Sequence, residues 1–358
     1  MTKRQITCLA CIAAATISGL GAAAPTAGAD SPVVRPGQSI QRAVNAAKPG
    51  DTITIAPGVY RESVLVTKPG LTLRGSGTET VIIPAAKPPK GTPKAKSTCA
   101  QGANGICVMG TADRNLNHVT IRSLTVAGFK ESGIWASRTD RLTVLNVTAR
   151  NNGIWGIAQE RSTRGQFRNN TARVNGDAGL FLANSIDQEG GATDTNHALI
   201  RGNELSGNRI GVTVRRLRNL DLSYNTITGN CAGVFVVGDE SKPAAGAMTI
   251  TDNKIVENNK SCPATERLPA LQGSGIVLTG SESTLIHSNR VMKNAGRSPL
   301  SGGIVLFQSF VGAVNSANVI RDNDVRGNSP ADLANRGKGT GNTFTGNSCA
   351  ASEPAGMC

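Results

Sequence analysis

Apolar and polar positions recur along this chain in a unit that becomes regular at Asn170: Asn, any residue, an apolar residue, two further residues, Asn. It appears as Asn170/Asn175, Asn203/Asn208, Asn225/Asn230, Asn253/Asn258, Asn289/Asn294, Asn323/Asn328 and Asn342/Asn347. Leu124/Phe129 and Val147/Asn152 fit the same frame in two earlier turns. After the pairs comes a glycine and then an apolar-x-apolar strand, which alternation orients with Ile134, Ile157, Leu180, Val212, Val234, Ile276 and Ile304 inward. A second strand sends Ile121, Val144, Phe167, Ile200, Leu222, Ile250, Ile286 and Ile320 inward. The shortest interior spacings, 22 and 23 residues, suit one coil of three short strands and three turns. The prediction is an all-β, single-domain right-handed parallel β-helix, a solenoid in which each coil lies on the one before. Asparagine tolerates the left-handed turn conformation, and its amide can bond to the amide one coil away, so the Asn pairs read as structural ladders.

The ends of such a stack need covers, because they expose core and strand edges. Ser39 to Ala47 reads as an amphipathic cap helix with Ile40, Ala43, Val44 and Ala47 on one face, ahead of the first strand pattern Thr52-Ile53-Thr54-Ile55. The solenoid is placed at 30–347, and the tail 348–358 is expected to close the far end. Insertions break the rhythm at Pro84–Thr98, Asp187–His197, Asn259–Gly273 and Ala295–Ser301.

Lys3 and Arg4, an apolar stretch from Ile6 to Leu20 and Ala27-Gly28-Ala29 predict a secretory leader over 1–29. No later stretch is apolar enough to span a bilayer, so the mature protein is expected outside the cell with no membrane anchor. Six cysteines remain after the leader, and sequential pairing closes three local loops: Cys99–Cys107, Cys231–Cys262 and Cys349–Cys358. No Cys-x-x-Cys survives, which argues against zinc. The formal charge is +14, to which Lys3 and Arg4 contribute two. That favours an anionic partner such as an acidic polysaccharide or another anionic polymer. With aromatic residues at 3% of the chain, a nucleic-acid stacking surface is not expected. A monomer is expected.

Together with the opening Gly58-Val59-Tyr60-Arg61-Glu62-Ser63-Val64, the coils resemble the pectate-lyase-like β-helix superfamily over roughly residues 38–347. The resemblance implies the fold and not one activity, since the superfamily holds lyases, hydrolases, esterases, epimerases and non-enzymes. The Gly-x-Tyr-x-Glu opening looks like that of pectin methylesterases. However, their Asp-Phe-Ile-Phe-Gly segment is missing, as are the Gly-His-Gly and Arg-Ile-Lys of polygalacturonases and the Asp-Pro-His of alginate epimerases.

Candidate chemistry therefore rests on outward positions of neighbouring coils. The corner after the Gly-apolar strand offers Glu160, Arg161, Asp187, Arg216 and Asp239, a carboxylate and guanidinium mixture that suits uronide chemistry. No cofactor is required by these residues, and Ca²⁺ is the ion such carboxylates would take. Arg122, Arg168 and Arg201 share one outward column on the other strand, while Trp135, Phe181 and Phe235 fall in an outward aromatic row suited to sugar rings. The reading is a secreted carbohydrate-active protein, a lyase or hydrolase of uronic-acid-containing glycan. The alternatives are a non-catalytic glycan-binding β-helix and an exported isomerase or cyclase of a small metabolite.

Overall fold

A computed structural model describes residues 33–86, 98–266 and 268–358. The leader predicted at 1–29 and the lysines of the first insertion lie outside the described residues. The coils rise as a right-handed parallel β-helix whose three faces we number in chain order. A representative coil places Thr143–Leu145 on sheet 1, Thr148–Arg150 on sheet 2 and Ile157–Glu160 on sheet 3. Among the described residues the sheets hold 14, 10 and 11 strands, and each strand bonds to its counterparts one coil away.

The inward stacks form as expected. On sheet 1, Val144 pairs with Ile121 and Phe167, and Phe167 with Ile200. On sheet 3, Ile134, Ile157, Leu180, Val212, Val234, Ile276 and Ile304 align from coil to coil. All of these are fully buried in one continuous core. The recurrent glycine has a steric cause at the entry to sheet 3. A Cβ on Gly156 would sit 2.6 Å from the carbonyl oxygen of Gly179, and one on Gly233 2.6 Å from that of Gly275. Only a residue without a side chain lets the coils approach there.

Two long asparagine ladders flank sheet 2. Asn203 accepts from the backbone N–H of Asn170 at 2.9 Å and from its amide at 3.0 Å. The Asn203 amide in turn donates to Phe167 O and to Asn225 Oδ1, both at 2.9 Å. The column continues through Asn253, Asn289, Asn323 and Asn347. Its parallel runs from Asn152 to Asn328 and ends on Asp332, whose carboxylate replaces the next amide. One frame assignment changes. Asn347 continues the column of Asn323, whereas Asn342 bonds to Asn318 in a third, shorter column ahead of sheet 1. The sequence Asn318-x-Ile-x-x-Asn323 fits the repeat unit as well, so spacing alone leaves two frames open in the last coils.

Helix α1 (Ile40–Ala46) covers the first coil, burying Ile40 and Val44. Its N-terminus rests on Glu62, whose carboxylate accepts from the N–H groups of Ile40 (2.7 Å) and Gln41 (3.1 Å). The Tyr60 hydroxyl donates to Val34 O and Ala56 O. The Gly-x-Tyr-x-Glu opening thus fastens the cap to the solenoid. At the far end, Ser352–Glu353 adds an edge strand to sheet 3, and Asp332 accepts from Ala350 and Ala351. All three disulfides pair sequentially, as expected. The second insertion is shorter than its reading of Asp187–His197, because Thr193–Arg201 is a strand. A register shift between Asp194 and Ala198 absorbs its extra residues, with Asn196 and His197 at positive φ.

Replacing Asn225 by Ala should cost about 3 kcal/mol or more, because it strands the Asn203 N–H and the Ile200 carbonyl in a buried turn. The exposed neighbour Thr226→Ala should stay within about 0.5 kcal/mol of wild type. Urea unfolding of the two variants measures this, and equal stabilities would contradict the ladder's role.

Candidate active site on the third sheet

Outward residues of sheet 3 form a column running Trp135, Ala158, Phe181, Thr213, Phe235, Val277. They build a second apolar cluster outside the solenoid core, together with Ile186, Leu268 and Leu271 from covering loops. The small Ala158 leaves a slot in the column, and Trp155 fills it from the preceding turn. Its ring lies 5.8 Å from that of Trp135 and 4.4 Å from that of Phe181, with planes within 18° and 21°. Trp135, Trp155 and Phe181 therefore stack on one another. This corrects the expectation of an exposed row: Phe181 and Phe235 are only 6% and 2% exposed, since insertions fold over them.

A cleft of about 850 Å³ opens above this floor, walled at both ends of the sheet 3 strands. At the entering ends stand Asp177 and Arg209. Asp177 Oδ2 accepts from the indole N–H of Trp155 at 2.9 Å. Burial pushes its carboxyl above the usual range, and the opposing pull of that bond and of the Arg209 charge does not cancel it. Arg209 is itself buried, which lowers its guanidinium pKa, and it donates to Pro263 O (2.6 Å) and Pro269 O (3.2 Å). These bonds and the Cys231–Cys262 disulfide hold the third insertion over the cleft.

The leaving ends carry the corner predicted from sequence. Asp187, Arg216 and Asp239 line the cleft, joined by Glu189 and Arg215. Glu160 and Arg161 sit outside the lining and hold the loop above them. Glu160 accepts from the Ser137 hydroxyl (2.9 Å) and the Ile186 N–H (3.1 Å), while Arg161 donates to Asp187 at 2.6 Å and to Ser185 at 2.9 Å. Asp187 is held below the usual carboxylate range, first by the Ser185 hydroxyl, with Arg161 contributing. Arg216 is 2% exposed and meets Glu189 at 2.5 Å and Asp239 at 3.2 Å. Arg161 and Arg216, grouped from the sequence in a corner suited to uronide chemistry, each already hold a carboxylate in the fold, because the insertion brings Asp187 and Glu189 onto them.

Arg122, Arg168 and Arg201 do share a column, but on sheet 1, so they are not part of this cleft. Trp135 opens on an adjoining hollow that shares Trp155 and Ile186 with the cleft. Sequence reasoning missed Trp155, Asp177, Glu189 and Arg209. Three of these lie in the short turn between a second-column asparagine and the sheet 3 glycine, as in Asn175-Gly176-Asp177-Ala178-Gly179. That turn marks the other rim of the same strand ends. Asp187, Glu189 and Asp239 each pair with a guanidinium, and the described residues contain no group of three or more His, Cys, Asp or Glu placed to hold a metal. No helix among the described residues is long and apolar enough to cross a membrane.

A family model described as the right-handed beta helix region matches residues 96–246 and 192–356. The chain belongs to that β-helix family. Among solved structures, the A-module of the mannuronan C-5 epimerase AlgE6 of Azotobacter vinelandii is 20% identical, with a TM-score of 0.56, over 88% of this chain and 90% of that one. DFA-IIIase of Arthrobacter chlorophenolicus, solved without its lid in complex with GF2, is 12% identical, with a TM-score of 0.61, over 91% and 89%. At these identities the likeness establishes the β-helix fold. A search of curated proteins finds no match.

Asp177 supplies a pH test. Its raised carboxyl pKa means the folded state holds this proton more tightly than the unfolded chain does. The stability that goes with the protonated form is complete at low pH and is lost as pH rises from about 4, the unfolded value, through the elevated one. Asp177→Asn should therefore gain melting temperature relative to wild type as pH rises across that window. A difference that stays constant with pH would contradict the assignment.

Proposed function

We propose that this β-helix is an exported carbohydrate-active enzyme that cleaves a glycosidic linkage in the sheet 3 cleft, with Asp177 donating the proton to the leaving oxygen. The observation that carries the reading is the Asp177 carboxyl: half-buried, raised by burial, oriented by the Trp155 indole and facing the cleft. A carboxyl whose pKa is raised by burial holds its proton to higher pH than a free one, which is the direction a general acid requires, and protonating the leaving oxygen serves hydrolysis and elimination alike. Asp187, held ionised in the facing wall, gives the site a second carboxylate of opposite tendency. Arg215 and Arg216 also line the cleft, but both already meet Glu189, so they add little free positive charge for a glycan carboxylate. Glu160 and Arg161 act as positioning residues for the loop carrying Asp187.

Two kinds of support are indirect. Similar folds include structures named for mannuronan epimerisation and a DFA-IIIase bound to GF2. Three disulfides favour an oxidising compartment, in keeping with export. The second reading, a glycan-binding protein without turnover, is favoured by the internal ion pairs of Arg161 and Arg216, which leave that wall largely neutralised.

A panel of neutral and acidic polysaccharides, read by new reducing ends and by unsaturated products, separates hydrolysis, elimination and mere binding. On any substrate turned over, Asp177→Asn should lower kcat roughly 10²- to 10⁴-fold with the melting temperature at neutral pH retained or raised. Wild-type rates in that variant would overturn the assignment, and saturable binding without product would select the second reading.

A further inference from the structure

The cleft leaves the basic surface of sheets 1 and 2 without a role. Arg74, Arg122, Arg168 and Arg201 occupy one outward column of sheet 1, interrupted only by Leu145, and Arg150 pairs with Arg173 on sheet 2. Neighbouring coils are about 4.8 Å apart, so the cations are closely spaced within each file, one file at the ends of the sheet 1 strands and the other at the ends of the sheet 2 strands. Among the described residues none of the six forms an ion pair with a carboxylate. Other arginines of the solenoid, Arg164, Arg216, Arg218, Arg326 and Arg336 among them, each hold an acid.

The strands of sheets 1 and 2 between Thr120 and Arg173 contain no Asp or Glu at all. Arg168 donates to Gln166, and Arg201 lies over the Tyr224 ring at 4.4 Å, contacts that orient a guanidinium without neutralising it. Four of the six are exposed, and Arg122 and Arg150 are half-buried. Like charges at this spacing repel, and an external anion would relieve the repulsion along the whole file.

We propose that this double file is a docking strip for a linear acidic polysaccharide, separate from the sheet 3 cleft. The rigid straight ridge suits an extended polymer. Hydroxyls accompany the arginines: Thr120 and Thr143 stand in register beside the sheet 1 file, and Thr148 and Thr171 lie between the two files on sheet 2. Guanidinium groups beside hydroxyls match a chain that presents carboxylates and sugar hydroxyls in alternation. A single-stranded nucleic acid would need stacking rings, which these strands do not offer. The exposed apolar side chains beside the strip, Val174 and Tyr224, stand singly, short of the wedge that a lipid surface would take.

The test uses the triple variant Arg168→Gln/Arg173→Gln/Arg201→Gln, whose positions are exposed and touch no part of the cleft. Binding is measured by titration calorimetry with polygalacturonate, its fully methyl-esterified form, duplex DNA and phosphatidylserine vesicles, each at two salt concentrations. Wild type should bind polygalacturonate in a salt-sensitive manner and ignore the esterified polymer. The triple variant should bind at least tenfold more weakly with an unchanged melting temperature. Wild-type affinity in the triple variant overturns the strip. Equal or tighter binding of DNA or vesicles overturns the polysaccharide as its occupant. Because the readout is binding and the strip lies off the cleft, failure here leaves the catalytic reading standing, and loss of turnover in Asp177→Asn leaves the strip standing.

Discussion

Registry between coils is the constraint on which everything else in this molecule depends, and buried amides hold it. An interior ladder asparagine uses its oxygen to accept two bonds from one neighbouring coil and its N–H groups to reach the other coil and a sheet 1 strand carbonyl. These turns are buried, so each backbone group left without that amide would cost most of a desolvated hydrogen bond. A slip by one residue would break the ladders and turn the inward columns outward together. Fixed registry is also what converts a sequence period into columns: glycines at the entry to sheet 3, arginines on sheet 1, rings and small residues on the outer face of sheet 3.

Function is built where the columns are irregular. Ala158 is too small for its place in the outer file, so Trp155 enters, and Trp155 then supplies the donor that orients Asp177. Insertions leave from the two ends of the sheet 3 strands, where turn length can vary without disturbing the ladders. One brings Asp187 and Glu189 onto Arg161 and Arg216; the other is strapped down by Arg209 and by Cys231–Cys262. The cleft is therefore a product of loops, held in place by a wall that cannot move.

The solenoid was readable because its signals are local and repeated. Ile121, Val144 and Phe167 announce a core column by spacing alone, and sequential cysteines pair because each loop they close is short. The site was half readable. Arg216 and Asp239 lie just past the same strand end on successive coils and could be grouped from the repeat, as could the column of Arg168 and Arg201. Asp177 and Arg209 could not be weighed in the same way. What marks them is burial under an insertion and contact with Trp155 and with Pro263, which no spacing encodes. Pairing was equally invisible: nothing in the sequence says that Glu189 folds back onto Arg216 rather than into solvent.

The central claim is that carbohydrate enters the sheet 3 cleft, and the chain carries its own reporter there. Its two tryptophans, Trp135 and Trp155, are both in the aromatic stack of that floor. Titrating the protein with short oligosaccharides released from whichever polysaccharide it binds, while following intrinsic tryptophan emission, therefore reads the cleft directly. The account predicts a saturable change in emission whose midpoint matches the affinity measured by calorimetry, and which disappears in Trp155→Phe. Oligosaccharide binding that is clear in the calorimeter and silent in the emission would contradict it.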